Sequence, residues 1–301
     1  MRMPTVLVAA LLALPSISTG QQAASPTTVP AARTFLWEVT SLTNRVYLYG
    51  TVHAGKASFY PLPEPVQKAF ADSAVLAVEA DITDEKAMEK SATTMLLTPP
   101  DTLSKHVPVP AYARFRKQLD RFAIPEAQVA QLKPFLAASI LSFAEWGRQG
   151  YRSQYGVDLQ LINLARRDKK SIVEIEGAQA QTALMESLTD KENRLAFEGT
   201  VSALESGLTR DQITGVVNAW QSGDPDLMLD VARAYSDAVP GAKELEEKFI
   251  WSRHDAMAQK IEVWLLQGRE RVFVAVGALH LAGPRGLVEV LRKRGYTVRQ
   301  L

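Results

Sequence analysis

The sequence predicts an α/β fold whose centre is a mixed, largely parallel sheet, and three observations lead there. Short apolar runs alternate with helical segments. An apolar strand followed by glycine, two residues and histidine occurs twice, once near each end of the chain. Between the two copies lie long stretches of helical pattern interrupted by prolines. Strands joined by helices favour parallel pairing with right-handed crossovers. The expected architecture is therefore two β–loop–α–β units sharing one sheet, with long helical insertions covering it.

Taken in order, Phe35 to Val39 and Arg45 to Tyr49 are aromatic and β-branched runs, separated by the polar turn Ser41-Leu42-Thr43-Asn44. They read as a hairpin. Gly50-Thr51-Val52-His53 follows, and Pro65 to Ala71 reads as a short helix. Ala74 to Glu79 is an apolar strand ending on a carboxylate. Thr83 to about Trp146 is helical, broken at Pro99-Pro100, Pro108 to Pro110, Pro125 and Pro134. Asp158 to Arg167 has an amphipathic pattern, and Ser171 to Glu176 is a second short strand ending on a carboxylate.

A second helical region runs from about Ala178 to Gln267. Thr189 with Glu192, and Thr209 with Gln212, have capping-box spacing, and Asp224-Pro225 sets a cap before a first-turn proline. Arg271 to Val276 is a continuous apolar strand that leads into Gly277-Ala278-Leu279-His280. A helix from Leu287 to Arg294, Gly295 as its stop, and a strand from Tyr296 to Val298 close the chain.

The N-terminus reads differently. Arg2 precedes nine apolar residues, Val6 to Leu14, then Pro15 and the small residues Ser18, Thr19 and Gly20. Nine residues span about 14 Å as a helix, too short for a bilayer core. Residues 1–20 are therefore expected to be a signal peptide, 21–32 a leader rich in Ala, Thr, Ser and Pro, and 33–301 a single domain. The expectation is export to a periplasm or the exterior, with no membrane span after cleavage. The net charge of +1 and the absence of a Lys/Arg stripe give no footprint for nucleic acid. The chain has no cysteine, which excludes disulfides, thiolate ligands and a cysteine nucleophile. A metal site here must use His, Asp and Glu.

The paired Gly-x-x-His elements carry the chemistry. In an open parallel sheet, ligands bind at the carboxyl ends of the strands, and His53 and His280 both sit just past such ends. Glu79 ends an otherwise apolar strand, where a carboxylate is costly unless paired or metal-bound, and Glu176 has a similar setting. Each also has a plain reading: a strand-end His or Glu can cap a loop, Asp158 can be a favourable helix N-terminal charge, and Arg253 can form a structural ion pair. Two His with carboxylates and open positions suit Zn, Mn, Fe or Co. Such a site activates water and polarises carbonyls. Affinity is expected to fall as pH drops through about 6.5, the ordinary His value. No His-Glu-x-x-His, Gly-x-Ser-x-Gly or phosphate-cradling loop is present.

Phe35 to Val39, Tyr47 to His53, Tyr60-Pro61-Leu62-Pro63, Val78-Glu79-Ala80-Asp81, Tyr155-Gly156-Val157-Asp158, Glu176 with Gln181, Arg253 with Met257, Val276 to Gly283 and Gly295-Tyr296 occur in that order. Together they resemble the TraB/GumN family over nearly the whole chain beyond the leader. That family is grouped with the TIKI metalloproteases, pheromone-shutdown proteins, erythromycin esterases and haem-binding ChaN proteins. The resemblance implies a divalent metal near His53, His280 and Glu79, with Asp158, Glu176 and Arg253 at further motif positions. One departure is visible: the family usually has Asn after Arg253, and here His254 stands, as a replacement or an added ligand.

The resulting expectation is an exported, metal-dependent, peptidase-like hydrolase acting on a peptide or small molecule. His53 and His280 bind the metal, Glu79 is a ligand or general base, and Arg253 holds a substrate carboxylate or the oxyanion. The alternatives are a haem- or iron-binding module and a non-catalytic accessory protein of envelope or polysaccharide assembly.

Overall fold

A computed structural model describes residues 33–301; the expected signal peptide and leader lie outside the described residues. Six strands form one sheet: β1 (Leu36–Thr40), β2 (Arg45–Thr51), β3 (Val75–Val78), β4 (Ser171–Glu174), β5 (Val272–Gly277) and β6 (Thr297–Gln300). Their spatial order is β4-β3-β5-β2-β1-β6. β4, β3, β5 and β2 are mutually parallel, and β1 is antiparallel to both β2 and β6. The α/β sheet is thus mixed and largely parallel.

The hairpin forms because Ser41 and Asn44 close its turn. Ser41 accepts the backbone N–H of Asn44, and the Asn44 amide donates to the carbonyls of Trp264 and Gly268. Helix Glu64–Asp72 then carries the chain from β2 to β3 with one strand position left between them. β5, from the far end of the chain, fills that position with Val46 opposite Val272 on one side and Val75 opposite Val272 on the other. Strands far apart in the sequence, β2 and β5, therefore meet in the middle of the sheet. The fully buried Phe273 of β5 packs against Tyr49 and Phe70 at ring-centroid distances of 5.7 and 5.4 Å. Each such buried side chain contributes about 1.5–3 kcal/mol of hydrophobic stabilisation.

The helical insertions do more than cover the sheet. Helices Val109–Arg121, Pro134–Arg148 and Asp190–Ser206 build a second apolar cluster around Phe115, Leu141 and Phe197. Helix Leu208–Ser222 returns to the main core through Ile213, Val217 and Trp220. The capping box at Thr189 and Glu192 forms, and Asp224 caps the helix that begins at Pro225. The expected box at Thr209 and Gln212 does not. Left-handed Gly207 (φ 84°) already turns the chain, the helix starts at Leu208, and Thr209 is buried inside its first turn. Strand boundaries shift by one or two residues: β3 and β4 stop at Val78 and Glu174, leaving Glu79 and Glu176 just beyond. Among the described residues no helix is long and apolar enough to cross a membrane.

Candidate functional site

The four parallel strands deliver their carboxyl ends to one edge of the sheet. Reading across from β4 to β2, the residues just past those ends are Glu176, Glu79, His280 and His53. The sheet order therefore sets His280 between Glu79 and His53. Neither glycine of the two motifs adopts a positive φ. At Gly50 the need is space, since a Cβ would stand 2.5 Å from the Phe35 ring and 3.0 Å from Ala278; at Gly277 a Cβ would make only ordinary contact with Glu79 and His280.

Glu79 is held at several points. One carboxylate oxygen, Oε1, accepts the Gly277 N–H at 2.8 Å, and the other, Oε2, accepts Arg253 Nη2 at 2.5 Å and Gln181 Nε2 at 3.3 Å. Burial works against its ionisation, but the Arg253 and His53 charges and the Gly277 N–H overcome that and hold the carboxyl well below the usual carboxylate range. Glu176 takes Arg253 Nε at 2.9 Å and also accepts from Nη2. The side chains of Glu79, Glu176 and Arg253 are each 13% exposed.

Arg253 lies in the single turn before helix His254–Gln267. Its remaining N–H groups go to the Phe249 carbonyl at 2.6 Å and to His280 Nε2 at 3.2 Å. A guanidinium has five N–H donors, and all five are engaged by these partners. The expectation that Arg253 holds a substrate carboxylate meets this obstacle: in this arrangement it has no donor left to offer. Its guanidinium instead joins the two strand-end carboxylates.

His280 is almost wholly buried, with Nε2 3.7 Å from Glu79 Oε1 and Nδ1 2.9 Å from His254 Nε2. Burial, with Arg253 and His254 nearby, pushes its pKa down to about 3, so the ring is neutral at ordinary pH. His254 is buried too and its pKa is also lowered, burial being the main cause.

His53 has the opposite character. Its side chain is 63% exposed, and Nδ1 lies 3.1 Å from Asp158 Oδ2. The negative Asp158 raises its pKa to about 9. A carboxylate only accepts hydrogen bonds, so Nδ1 keeps its hydrogen and Nε2 is the nitrogen that can become free. Asp158 reaches His53 because Val157 N–H donates to the Val52 carbonyl at 2.9 Å and Gly156 packs against the His53 carbonyl. Asp158 stands in the first turn of helix Val157–Arg167 but makes no side-chain cap there; its hydrogen bond goes to the histidine. The charges of Glu79 and Arg253 act on His53, and His53 acts on His280, so the two histidines share one electrostatic environment.

Seven residues singled out in the sequence thus gather in two linked groups. His53 with Asp158 forms one; Glu79, Glu176, Arg253, His280 and His254 form the other. Among the described residues, no three His, Asp or Glu side chains converge closely enough to enclose a metal ion as they stand. The donor chemistry nevertheless fits one. Asp158 fixes His53, Glu79 is ionised, and Asp158 Oδ1 is buried with no hydrogen-bond partner among the described residues. Trp220 was not legible as a contributor. Its Nε1 donates to the Gly50 carbonyl at 2.8 Å, pinning the first motif from an inserted helix. At its position in the sequence it reads only as one more apolar residue on a helix face.

Residues 35–300 match the TraB/PrgY/gumN family. The chain is 26% identical over 251 residues to the uncharacterized protein YbaP of Escherichia coli (strain K12), covering 82% of this chain and 87% of that protein. It is 24% identical over 309 residues to metalloprotease TIKI1 of Danio rerio, covering 88% of this chain and 62% of TIKI1. Identity to metalloprotease TIKI2 of Xenopus tropicalis is 25% over 329 residues, covering 94% of this chain and 62% of TIKI2. The match thus takes in about three fifths of each TIKI protein. No solved structure matches the chain, and the expected kinship with erythromycin esterases and ChaN proteins gains no structural counterpart. The match over residues 35–300 spans both Gly-x-x-His elements and every strand of the sheet; the chain belongs to the TraB/PrgY/gumN family.

Proposed function

We propose that the side-chain cluster at the strand ends is the centre of a metal-dependent hydrolase of peptidase-like type, working outside the cytoplasm. The observation that carries this reading is the gathering of His53, His280 and an ionised Glu79 past neighbouring strand ends, each oriented by a partner of its own. The similarity to two metalloproteases supports it. His53 and His280 would hold a divalent ion through Nε2, with Glu79 as a further ligand or as the general base. A bound divalent ion supplies Lewis acidity and a water of lowered pKa.

This chain's own residues do the rest. Asp158 keeps His53 aimed through Nδ1. Glu79 stays ionised, which suits a ligand. A carboxyl held so far below the usual range is a weak proton acceptor, so a base's role would need its Arg253 or Gly277 hydrogen bond to be given up first. Arg253 bridges Glu79 and Glu176 and holds the two strand-end carboxylates side by side. Loading of the site requires His280 Nε2 to exchange its contact with Arg253 for the ion. The saturation of Arg253 favours a second reading, in which the cluster is a structural ion network and the chain is a non-catalytic binding or accessory protein.

Metal binding and hydrolysis measured together separate the two readings. The wild type should bind cobalt(II), manganese(II) or zinc(II) and cleave members of a peptide library, whereas His53→Ala and His280→Ala should lose both. Glu79→Gln should retain the metal and lose about 10²–10⁴-fold in turnover if Glu79 is the base, and lose the metal as well if it is a ligand. If all three variants match the wild type in metal content and hydrolysis, the enzyme reading fails.

A further inference from the structure

A chain of hydrogen bonds leads from Arg253 through two buried histidines to a backbone carbonyl, and its direction follows from donors and acceptors alone. At one end, Arg253 Nη1 lies 3.2 Å from His280 Nε2. A guanidinium only donates, so Nε2 of His280 must carry a lone pair. A neutral imidazole has one hydrogen, which places it on His280 Nδ1. That nitrogen lies 2.9 Å from His254 Nε2, which must therefore accept. At the other end, His254 Nδ1 lies 2.6 Å from the Arg285 carbonyl oxygen. A carbonyl only accepts, so His254 Nδ1 carries the hydrogen. Both ends demand the same assignment, and no other arrangement of one hydrogen per ring satisfies all three contacts.

We propose that His254 is a positioning residue for His280: by accepting the Nδ1 hydrogen opposite the Arg253 contact on Nε2, it locks the tautomer and the orientation of the ring. This rests on the reading of His280 Nε2 as a ligand for its use, though not for the tautomer itself. The surroundings suit the task. His254 is 2% exposed, so no bulk water competes for its nitrogens. Trp251 meets its ring edge-on at 5.5 Å and the His280 ring stands 5.1 Å away at 66°. The side chain of Arg285 turns outward to both oxygens of Glu247 at 2.6 and 2.7 Å, leaving its backbone carbonyl to end the relay. An imidazole that ligates a metal commonly donates its other N–H to such an orienting acceptor. His53 has the equivalent in Asp158; the relay through His254 gives His280 the same service with no added charge. It also makes His254 an orienting group rather than a further ligand, since both of its nitrogens are spent.

The test uses the full chain with ¹⁵N-labelled histidine, read by long-range ¹H–¹⁵N correlation, together with cobalt(II) titration. Wild-type His280 should show a protonated Nδ1 and a bare Nε2. His254→Asn supplies an amide oxygen that accepts from Nδ1 and an amide N–H for the Arg285 carbonyl, so it should keep the tautomer and lie within a few-fold of wild-type cobalt(II) affinity. His254→Leu removes both partners. Arg253 still holds the lone pair on Nε2, so the hydrogen should stay on Nδ1 but lose its acceptor: the Nδ1–H proton resonance should move upfield, and cobalt(II) affinity should fall about 10- to 100-fold. Wild-type protein with the hydrogen on His280 Nε2 overturns the proposal, even if His254→Leu does not fold. So does a folded His254→Leu with an unchanged Nδ1–H resonance and unchanged cobalt(II) affinity. Wild type with the assigned tautomer but no cobalt(II) binding supports the relay and instead defeats the metallohydrolase reading.

Discussion

Asp158 holds His53 through one oxygen, Oδ2 at 3.1 Å from Nδ1, while its other oxygen is buried without a hydrogen-bond partner among the described residues. The pairing is the main reason His53 titrates near 9. Asp158→Asn keeps the shape and removes the charge, so the His53 midpoint should fall toward the ordinary value of about 6.5. An NMR titration of the imidazole signals measures this directly, and a midpoint still near 9 rules out Asp158 as the cause. Stability should follow the same linkage. A raised histidine pKa stabilises the fold fully below the unfolded value of about 6.5, and the contribution disappears as pH rises through about 9. Asp158→Asn should therefore cost more at pH about 6 than at pH about 10.

Arg253 is the only cation hydrogen-bonded to Glu79 and Glu176 among the described residues. Arg253→Met leaves the two carboxylates buried together, and removing one partner of a buried ion pair costs about 3–5 kcal/mol. Urea unfolding at pH about 8 should show a loss of that order. The loss should shrink as pH is lowered, because neighbouring carboxylates cannot both stay ionised and one takes up a proton. A deficit under about 1 kcal/mol at pH 8 would mean that the network contributes little to the fold.

The sheet was legible because its strands are short, apolar and bounded, and because the two Gly-x-x-His elements are self-similar. β2 and β5 do lie side by side and parallel. Glu79 and Glu176 were found because a carboxylate after four apolar or mostly apolar residues needs a partner; the identity of that partner was not readable. Arg253 lies 174 residues from Glu79 in the chain, and sequence spacing carries no information about a contact of that range. For the same reason the donors of Arg253 looked available to a substrate when all are taken within the fold. His254 stood out only as a departure from the expected Asn. Its direction of hydrogen bonding depends on the Arg285 carbonyl, a backbone group that has no signature in sequence. At Thr209 local spacing misled because Gly207 offered a cheaper turn with positive φ.

Gly156 makes the His53–Asp158 pair mechanically dependent on the Tyr155-Gly156-Val157-Asp158 turn. A Cβ added there would stand 2.5 Å from the His53 carbonyl oxygen and 3.0 Å from that of Ser153. Both are backbone atoms, so neither can rotate away. Gly156→Ala should destabilise the fold by about 1–3 kcal/mol, the usual range for forced overpacking. It should also move Asp158 off His53. The His53 midpoint should then fall toward about 6.5 although neither residue of the pair has been changed. Retention of a midpoint near 9 would show that the turn can yield without separating them.

Metal binding should carry the imprint of the two unlike histidines. His280 is neutral down to about pH 3, so it offers Nε2 without releasing a proton anywhere in the working range. His53 is protonated below about 9, and an ion can bind its Nε2 only by displacing that proton. One proton released per ion makes affinity rise about tenfold per pH unit. Cobalt(II) titrations at pH about 6.5 and about 8.5 should therefore differ by about 100-fold, with the rise levelling off above about 9. This places the transition well above the ordinary histidine value of about 6.5 that the sequence alone suggests. Asp158→Asn should return it there, so that the same two titrations differ by only a few-fold. A wild type whose affinity changes only below about 6.5 would show that the ion displaces no proton held by the Asp158-bound imidazole, and a response flat from pH 8.5 to pH 5 would remove His53 from the ligand set altogether.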